Sequence, residues 1–447
     1  MRRVRRGILS VGVALALVAG GVTAGIVATS GGAAVPSLYM AGVAENPCTH
    51  QPVTVPVSEQ ARFLPDSNVL GTATRTSCVV SAIKARQIWL RRGLIPGDSA
   101  TERELATRAL LDLRLSVQPN GAVVAGFHHG WDYTWPRDSS WVAVALAGTG
   151  HATDALGILR FLQRVQSRDG TFQARYYTDG AGPVNDGRPA ELDAVGWVPW
   201  AVWSWAATQR TTPGSAARGE LQRLWPMVVK AANAAVHSLT SNGLPEAAMD
   251  YWENKPIEQT LGTAAPLLAG LRAAGAIAGI LDQTRDETAW RSAAKGLSAA
   301  IARTFMPNGY KRTPDASSGA DAAITFLGPP FAPPDAAVEA AASSAQRALT
   351  LPNGGLRPGA AWRGASGVAW TPETAMFALF DAGTGQDAAA RRLLSWLAGH
   401  RTVLGELSEQ VTPGGKPASV APLAWTDAIV LLTLLALDHG LSIPPAG

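Results

Sequence analysis

The sequence predicts an all-α fold, a toroid of paired helices. Three observations carry that expectation. Apolar residues recur at helical spacing from about residue 80 onward. The segments between carry Gly and Pro turn signals such as Asp169-Gly170, Pro307-Asn308-Gly309 and Pro352-Asn353-Gly354. No run of regularly spaced alternating strands appears, which argues against a sandwich. At 447 residues the chain is long for an ordinary domain, but one large helical barrel uses nearly all of it. With 47% hydrophobic and 16% charged residues, it has the means to bury a sizeable core.

The elements follow in order. Arg2, Arg3, Arg5 and Arg6 precede an apolar run over residues 8–29. That pattern reads as a signal-peptide core or a single membrane anchor with the N-terminus inside, so residues 1–30 are assigned to it. Its length suits a span of roughly 20 residues, whereas Val22-Thr23-Ala24 permits cleavage. Either way the remainder is expected outside the cytoplasm, secreted or anchored to the cell membrane. Residues 31–80, rich in Gly, Pro, Ser, Thr and Val, read as a linker and an irregular segment. The only cysteines, Cys48 and Cys78, fall there and in an oxidising compartment are expected to pair. A loop of about 30 residues closed this way constrains the unfolded chain by roughly 3–4 kcal/mol; two separate buried thiols are the alternative. Two Cys without a His cluster make no zinc site, so no metal is expected.

The helical domain is assigned to residues 81–440, with about a dozen helices. They are expected over 81–92, 102–114, 141–148, 192–208, 259–280, 286–305, 335–348, 372–382, 386–399 and 424–438. Two more rest on the stripes Ile158, Phe161, Leu162, Val165 and Val229, Ala232, Val236, Leu239, the latter after a Pro226 suited to a first turn. The loops at one end of such a toroid are where chemistry is expected. The formal net charge of +4 comes partly from the N-terminal arginines, and no basic stripe interleaved with aromatics follows. Nucleic acid is therefore not an expected partner.

Four segments gather polar and aromatic residues. The first is Gly130-Trp131-Asp132-Tyr133-Thr134-Trp135-Pro136-Arg137-Asp138-Ser139. Its aromatics can wall a sugar pocket while Arg137 and Asp138 bond ring hydroxyls, which both donate and accept; Asp138 or Ser139 as a helix cap is the competing role. The second ends in Arg188-Pro189-Ala190-Glu191-Leu192-Asp193 and leads into a helix with Trp197, Trp200, Trp203 and Trp205. Core packing suits most of those tryptophans. Glu191 and Asp193 fit a helix start, where the dipole favours negative charge, at least as well as catalysis. The third is Asp250-Tyr251-Trp252-Glu253-Asn254, where Trp252 is placed to wall Glu253 and favour its protonated form. The fourth is Gly405-Glu406-Leu407-Ser408-Glu409-Gln410, followed by Pro422-Leu423-Ala424-Trp425. Glu409 is the better base there, flanked by Ser408 and Gln410, and Glu406 is its rival. Trp425 either lines the same mouth or packs into the core. Two facing carboxyls, one protonated and one ionised, suffice to hydrolyse a glycosidic bond.

Together these segments resemble the glucoamylase family of inverting glycosidases, family 15 of the glycoside hydrolases, which includes glucodextranases and some trehalases. The carrying motifs are Tyr133-Thr134-Trp135-Pro136-Arg137-Asp138, Asp250-Tyr251-Trp252-Glu253, and Ser408-Glu409-Gln410 with Pro422-Leu423-Ala424-Trp425, in the family's order. The resemblance implies an (α/α)6 barrel, a six-hairpin toroid with its pocket at one end. It places Glu253 as general acid and Glu409 as general base. It places Arg137 and Asp138 on the terminal glucose, and Trp131, Tyr133, Trp135 and Trp252 on the pocket walls. Arg188 falls near a further binding position, with residues 188–193 out of step by one residue. Asn254 stands where many members have a second acid. The implied activity is exo-acting, inverting release of glucose from α-glucosides: maltooligosaccharides, isomaltooligosaccharides or trehalose. No cofactor is required, a saccharide is the expected partner, and a monomer is expected. Two other classes compete: an extracytoplasmic glycan-binding scaffold without catalysis, which the paired Glu253 and Glu409 argue against, and another helical-barrel enzyme such as a polysaccharide lyase, which calls for a more cationic pocket.

Overall fold

In a computed structural model, residues 34–59, 61–209, 212–255 and 257–446 are described. The signal or anchor expected over residues 1–30 lies outside the described residues. The first described element is a hairpin of β1 (Gly42–Glu45) and β2 (Pro52–Val55), paired antiparallel. Helix α1 (Ser77–Arg91) follows, and a disulfide between the two cysteines, Cys48 and Cys78, ties the hairpin to its first turn, the pairing expected of them.

Six pairs of segments follow, each with one outer and one inner member. The inner ring runs through α3 (Pro136–Gly148), α5 (Ala194–Thr208), α7 (Leu261–Ile280), a 3-10 segment over Ala322–Leu327, α10 (Thr371–Gly383) and α12 (Ala424–His439), and α12 closes back on α3. Outside it lie α4 (Ala152–Val165) on α3, α6 (Ala216–His237) on α5, α8 (Thr284–Phe305) on α7, α9 (Ala336–Leu349) on the 3-10 segment, α11 (Asp387–Gly399) on α10, and α2 (Ala100–Ser116) on α12. This arrangement accords with the (α/α)6 barrel. A short ribbon of β3 (Ala369–Trp370), β4 (Gln410–Val411) and β5 (Pro417–Ala418) sits at one end.

Burial explains the two kinds of helix. Outer helices bury one stripe; α4 buries Ile158, Leu159, Phe161 and Leu162. Inner helices are enclosed on every side, so nearly all of α5 and α12 is buried. Helix α7 is long and apolar enough to cross a bilayer, but 83% of its apolar window is buried inside the barrel, which makes it a core helix. Trp141, Trp197, Trp200 and Phe331 meet edge-on or tilted in the barrel axis. The tryptophans of α5 pack the core, as their helical spacing suggests.

Three expectations are corrected. Helix α3 begins at Pro136, not 141, because its polar first turn is buried against other loops rather than solvated. Helix α6 begins at Ala216, where Ser215 accepts a bond from Arg218 N, so Pro226 lies mid-helix rather than in a first turn. Its buried residues are Leu221, Leu224, Met227, Val228, Ala231, Ala232, Ala234 and Ala235, and of the expected stripe Ala232 is buried while Val229, Val236 and Leu239 pack half-buried against the core. The sixth inner position is the 3-10 segment, where Gly328-Pro329-Pro330 and Pro333-Pro334 prevent helix continuation.

Candidate active site

All six inner segments start at the same end of the barrel, and the motif residues cluster at those starts. Helices α3, α5, α10 and α12 have no side-chain cap bond at their N-termini. Their first-turn N–H groups therefore lend positive potential to the carboxyls of Asp138, Glu373 and Asp427 in their own first turns. Neither Asp138 nor Ser139 caps α3, since the cap position is Trp135.

Arg137 is the hub. Its guanidinium bonds Glu191, reaches Glu253 Oε1 at 3.3 Å, and lies 3.5 Å from Asp138 and 3.7 Å from Asp193. It also covers the Trp425 ring at 4.9 Å. Glu191 and Asp193 are thus partners of Arg137, not only helix-start residues. Burial alone would lower the Arg137 pKa, but Glu191, Asp138, Asp193 and Glu253 outweigh it and hold its charge. Burial pushes the opposing carboxyls up, Asp138 to about 6 and Asp193 to about 7, and raises Glu191 as well, while the Arg137 charge pulls all three down.

Glu253 sits in a turn at φ 53°, a strained conformation for a residue with a side chain. The turn is fixed from behind. Asp250 accepts from Trp252 N, from Thr260 Oγ1 and twice from Arg312 at 2.9 Å. Arg312 also bonds Asp321, which accepts from the Tyr251 hydroxyl at 2.6 Å. The Trp252 indole is covered by Arg312 and meets Trp362 edge-on at 5.0 Å. The Glu253 carboxyl itself faces Arg137 and Arg188. The apolar wall expected of Trp252 is replaced by two guanidinium groups, because Trp252 turns its face to Arg312. Arg188 is held in turn by Asp186 at 3.1 Å, which also binds Arg175; Arg175 lies over Tyr133 at 4.4 Å and Trp135 at 5.2 Å. Tyr133 and Trp135 thus brace the loop that carries Arg188. Asn254 is exposed.

Glu409 sits across the cluster. One carboxylate oxygen accepts from Trp131 Nε1 at 3.0 Å and the other from Ser419 Oγ at 2.6 Å, with Gln410 Nε2 at 3.3 Å. Burial raises its pKa, the Ser419 and Trp131 bonds hold it down, and the charges of Glu253 and Asp138 push it up again. Glu253 and Glu409 therefore act on one another electrostatically at one barrel end. The rival Glu406 points elsewhere: it is fully buried, accepts from Val43 N with both oxygens at 3.0 Å, and lies beside Asp112, Arg108 and Asp427.

Several residues of the cluster carry no sequence signal. Arg312, Asp321 and Ser419 stand in no motif, and only Ser419's place shortly before Trp425 hints at the site. Glu373 is 3% exposed, its Oε2 has no partner, and it acts electrostatically with Glu409, Asp321 and Arg137. A cavity of about 690 Å³ between residues 62–67, α2 and residues 398–405 contains none of the motif residues. Among the described residues no cluster of His, Cys, Asp and Glu has the spacing of a metal site.

No family model matches the chain. It is 26% identical over 153 residues to an uncharacterized glycosyl hydrolase of Methanocaldococcus jannaschii, a match covering 34% of this chain and 23% of that protein. The chain thus spans under a quarter of the length of the curated relative it matches. Its fold is similar to that of a wild-type glycosidase, with TM-score 0.64 and 22% identity, covering 76% of this chain and 99% of the other. It is also similar to a bacterial glucoamylase solved with acarbose, with TM-score 0.63 and 17% identity, covering 82% and 60%. A family 63 mannosylglycerate hydrolase of Thermus thermophilus solved with glucose shares the fold at TM-score 0.56 and 15% identity, covering 73% and 99%. The barrel architecture is therefore common to sugar hydrolases of more than one family.

Proposed function

We propose that this chain is an exo-acting, inverting glycoside hydrolase that releases glucose from the non-reducing end of an α-glucoside. The observation that carries the reading is the pairing of Glu253 and Glu409 at one barrel end. Each is held by its own donors, and the two are linked electrostatically. The fold shared with glycosidases and glucoamylases supports the reading. Glu253 protonates the glycosidic oxygen, and Glu409, as carboxylate, takes a proton from the water that attacks C1 from the opposite face. Such a mechanism calls for carboxyls roughly 6.5–9.5 Å apart. Arg137 and Asp138 bind hydroxyls of the terminal sugar, and Trp131, Tyr133, Trp135, Trp252 and Trp425 shape its surroundings. Glu253 must carry a proton when substrate is seated. Arg188, more exposed than Arg137, is the partner that gives way to sugar hydroxyls. No metal or organic cofactor enters the reaction. The apolar run at residues 8–29 and the disulfide favour an exported protein, secreted or membrane-anchored.

The test is incubation with maltose, isomaltose and trehalose, with α-mannosides as a control panel, and NMR assignment of the anomer first released. β-Glucose supports the reading, and α-glucose contradicts inversion. No hydrolysis of any glycoside points to a glycan-binding scaffold or a lyase. Glu253→Gln and Glu409→Gln should each lower kcat by at least about 100-fold with the fold intact.

A further inference from the structure

Two of the donors to Glu409, Trp131 and Ser419, are themselves held by one short N-terminal segment. Ser419 N donates to Ser37 O at 2.8 Å, and Tyr39 N donates to Ser419 O at 2.9 Å, so the segment grips Ser419 by its backbone on both sides. Ser419 needs that grip. Its φ is 64°, a left-handed conformation that costs a non-glycine residue on the order of 1 kcal/mol and persists only where the surroundings impose it. From that conformation its hydroxyl reaches Glu409. The Tyr39 ring stacks on His128 with centroids 4.3 Å apart and meets the Trp131 ring at 5.8 Å. Trp131 is the second donor to Glu409, and its own N–H donates to His128 O at 2.8 Å. A few residues on, Val43 N bonds the carboxylate of Glu406, three positions before Glu409. A Cβ on Gly42 would lie 2.2 Å from that carboxylate, so only glycine lets the strand approach so closely. The segment then enters the hairpin that the disulfide fastens to α1.

We propose that residues Ser37–Tyr39 form a strap that positions Glu409, with Tyr39 as the positioning residue that sets Trp131 and Ser419 against its two carboxylate oxygens. The proposal rests on Glu409 being the base of the proposed reaction. It assigns the segment that follows the N-terminal apolar run a part in the chemistry of the barrel. The groups facing Glu409 from elsewhere are Glu253, Asp138 and Glu373, and none of them touches the strap.

The test uses the full chain. Tyr39 is 39% exposed, so Tyr39→Ala folds and removes only the ring that backs His128 and Trp131. Tyr39→Ala should lower kcat about tenfold with a smaller change in KM, and move the acid limb of the pH–rate profile upward, because Glu409 loses donors that favour its ionised form. Tyr39→Phe keeps the ring and should restore both. A lowered melting temperature with an unchanged pH profile would mean that the strap is only structural and would overturn the proposal. Hydrogen exchange at the Ser419 amide supplies a readout that needs no activity. It should quicken in Tyr39→Ala, and an unchanged rate would sink the strap even if hydrolysis is found. If no glycoside is cleaved by the parent chain while exchange does quicken, the reading of Glu409 fails and the strap's grip on Ser419 stands.

Discussion

Arg312 lies flat over the indole of Trp252, its guanidinium carbon 3.6 Å from the ring centroid. The same guanidinium bonds Asp250 and Asp321, both buried. One side chain thus neutralises two carboxylates and fixes the residue next to Glu253. Replacing it with methionine leaves both aspartates buried without a cation, which costs about 3–5 kcal/mol. Arg312→Met should lower the urea midpoint accordingly and reduce kcat more than 100-fold, a scale typical of lost positioning. Arg312→Lys keeps the charge but not the planar fork, and should recover stability better than activity.

Trp131 and Ser419 supply the two shortest side-chain hydrogen bonds to Glu409, one to each carboxylate oxygen. Both bonds favour the carboxylate, against the burial that pushes its pKa up. In the proposed reaction Glu409 works ionised. Loss of either donor therefore raises the pKa further and shifts the acid limb of kcat/KM to higher pH. A hydrogen bond to a charged group is worth about 1.5–3 kcal/mol, so Trp131→Phe and Ser419→Ala should each lower activity by at least about tenfold at acidic pH and less at neutral pH. A pH–rate profile that does not move would separate these donors from the function of Glu409.

How much of this was legible in sequence depends on where each signal resides. Outer helices announce themselves, since Ile158, Phe161 and Leu162 repeat along one face of α4. Inner helices lose their period because every face is buried, and their N-termini look like loops. Pro136-Arg137-Asp138 is polar, yet it forms a buried first turn. The motif acids and aromatics could be named because their chemistry is local. Their partners could not: Arg312 finds Asp250 across 62 residues and Ser419 sits beside Ser37, pairings that only the closure of the ring creates. The expectation that Trp252 walls Glu253 failed for the same reason, since nothing near Trp252 in the chain points to Arg312.

Glu373 lies in the first turn of α10 with no partner for Oε2. Burial pushes its pKa to about 8; the local backbone bond and Arg137 oppose this, and Glu409 and Asp321 add to it. It therefore carries a proton at pH 6 to 7, as an amide carries its hydrogens. Glu373→Gln should keep kcat within about threefold, a change below about 0.7 kcal/mol on the usual rate scale. Glu373→Ala leaves a hole beneath the site and should cost about 1–3 kcal/mol of stability. If the glutamine variant is as damaged as the alanine one, Glu373 acts as an anion and this reading is wrong.

Asp427, Glu406 and Asp112 are fully buried together around Arg108, which lies 2.7 Å from Asp112. Both oxygens of Asp427 lack a partner. One guanidinium cannot neutralise three carboxylates, so burial raises all three, Asp112 to about 6. A carboxyl whose folded pKa exceeds its unfolded value binds its proton more tightly in the native state. Its stabilising contribution is full below about pH 4 and is lost as pH rises through the folded pKa. For Asp112 that window runs from about pH 4 to 6, and Glu406 and Asp427 are shifted in the same direction. Asp427→Asn removes one of the three titrations while keeping the shape. Its melting temperature should match the parent near pH 4 and exceed it by a few °C near pH 8. Calorimetric scans of both proteins across pH 4–8 decide the point. Parallel curves would mean that Asp427 binds its proton equally well folded and unfolded, and the burial argument would fail.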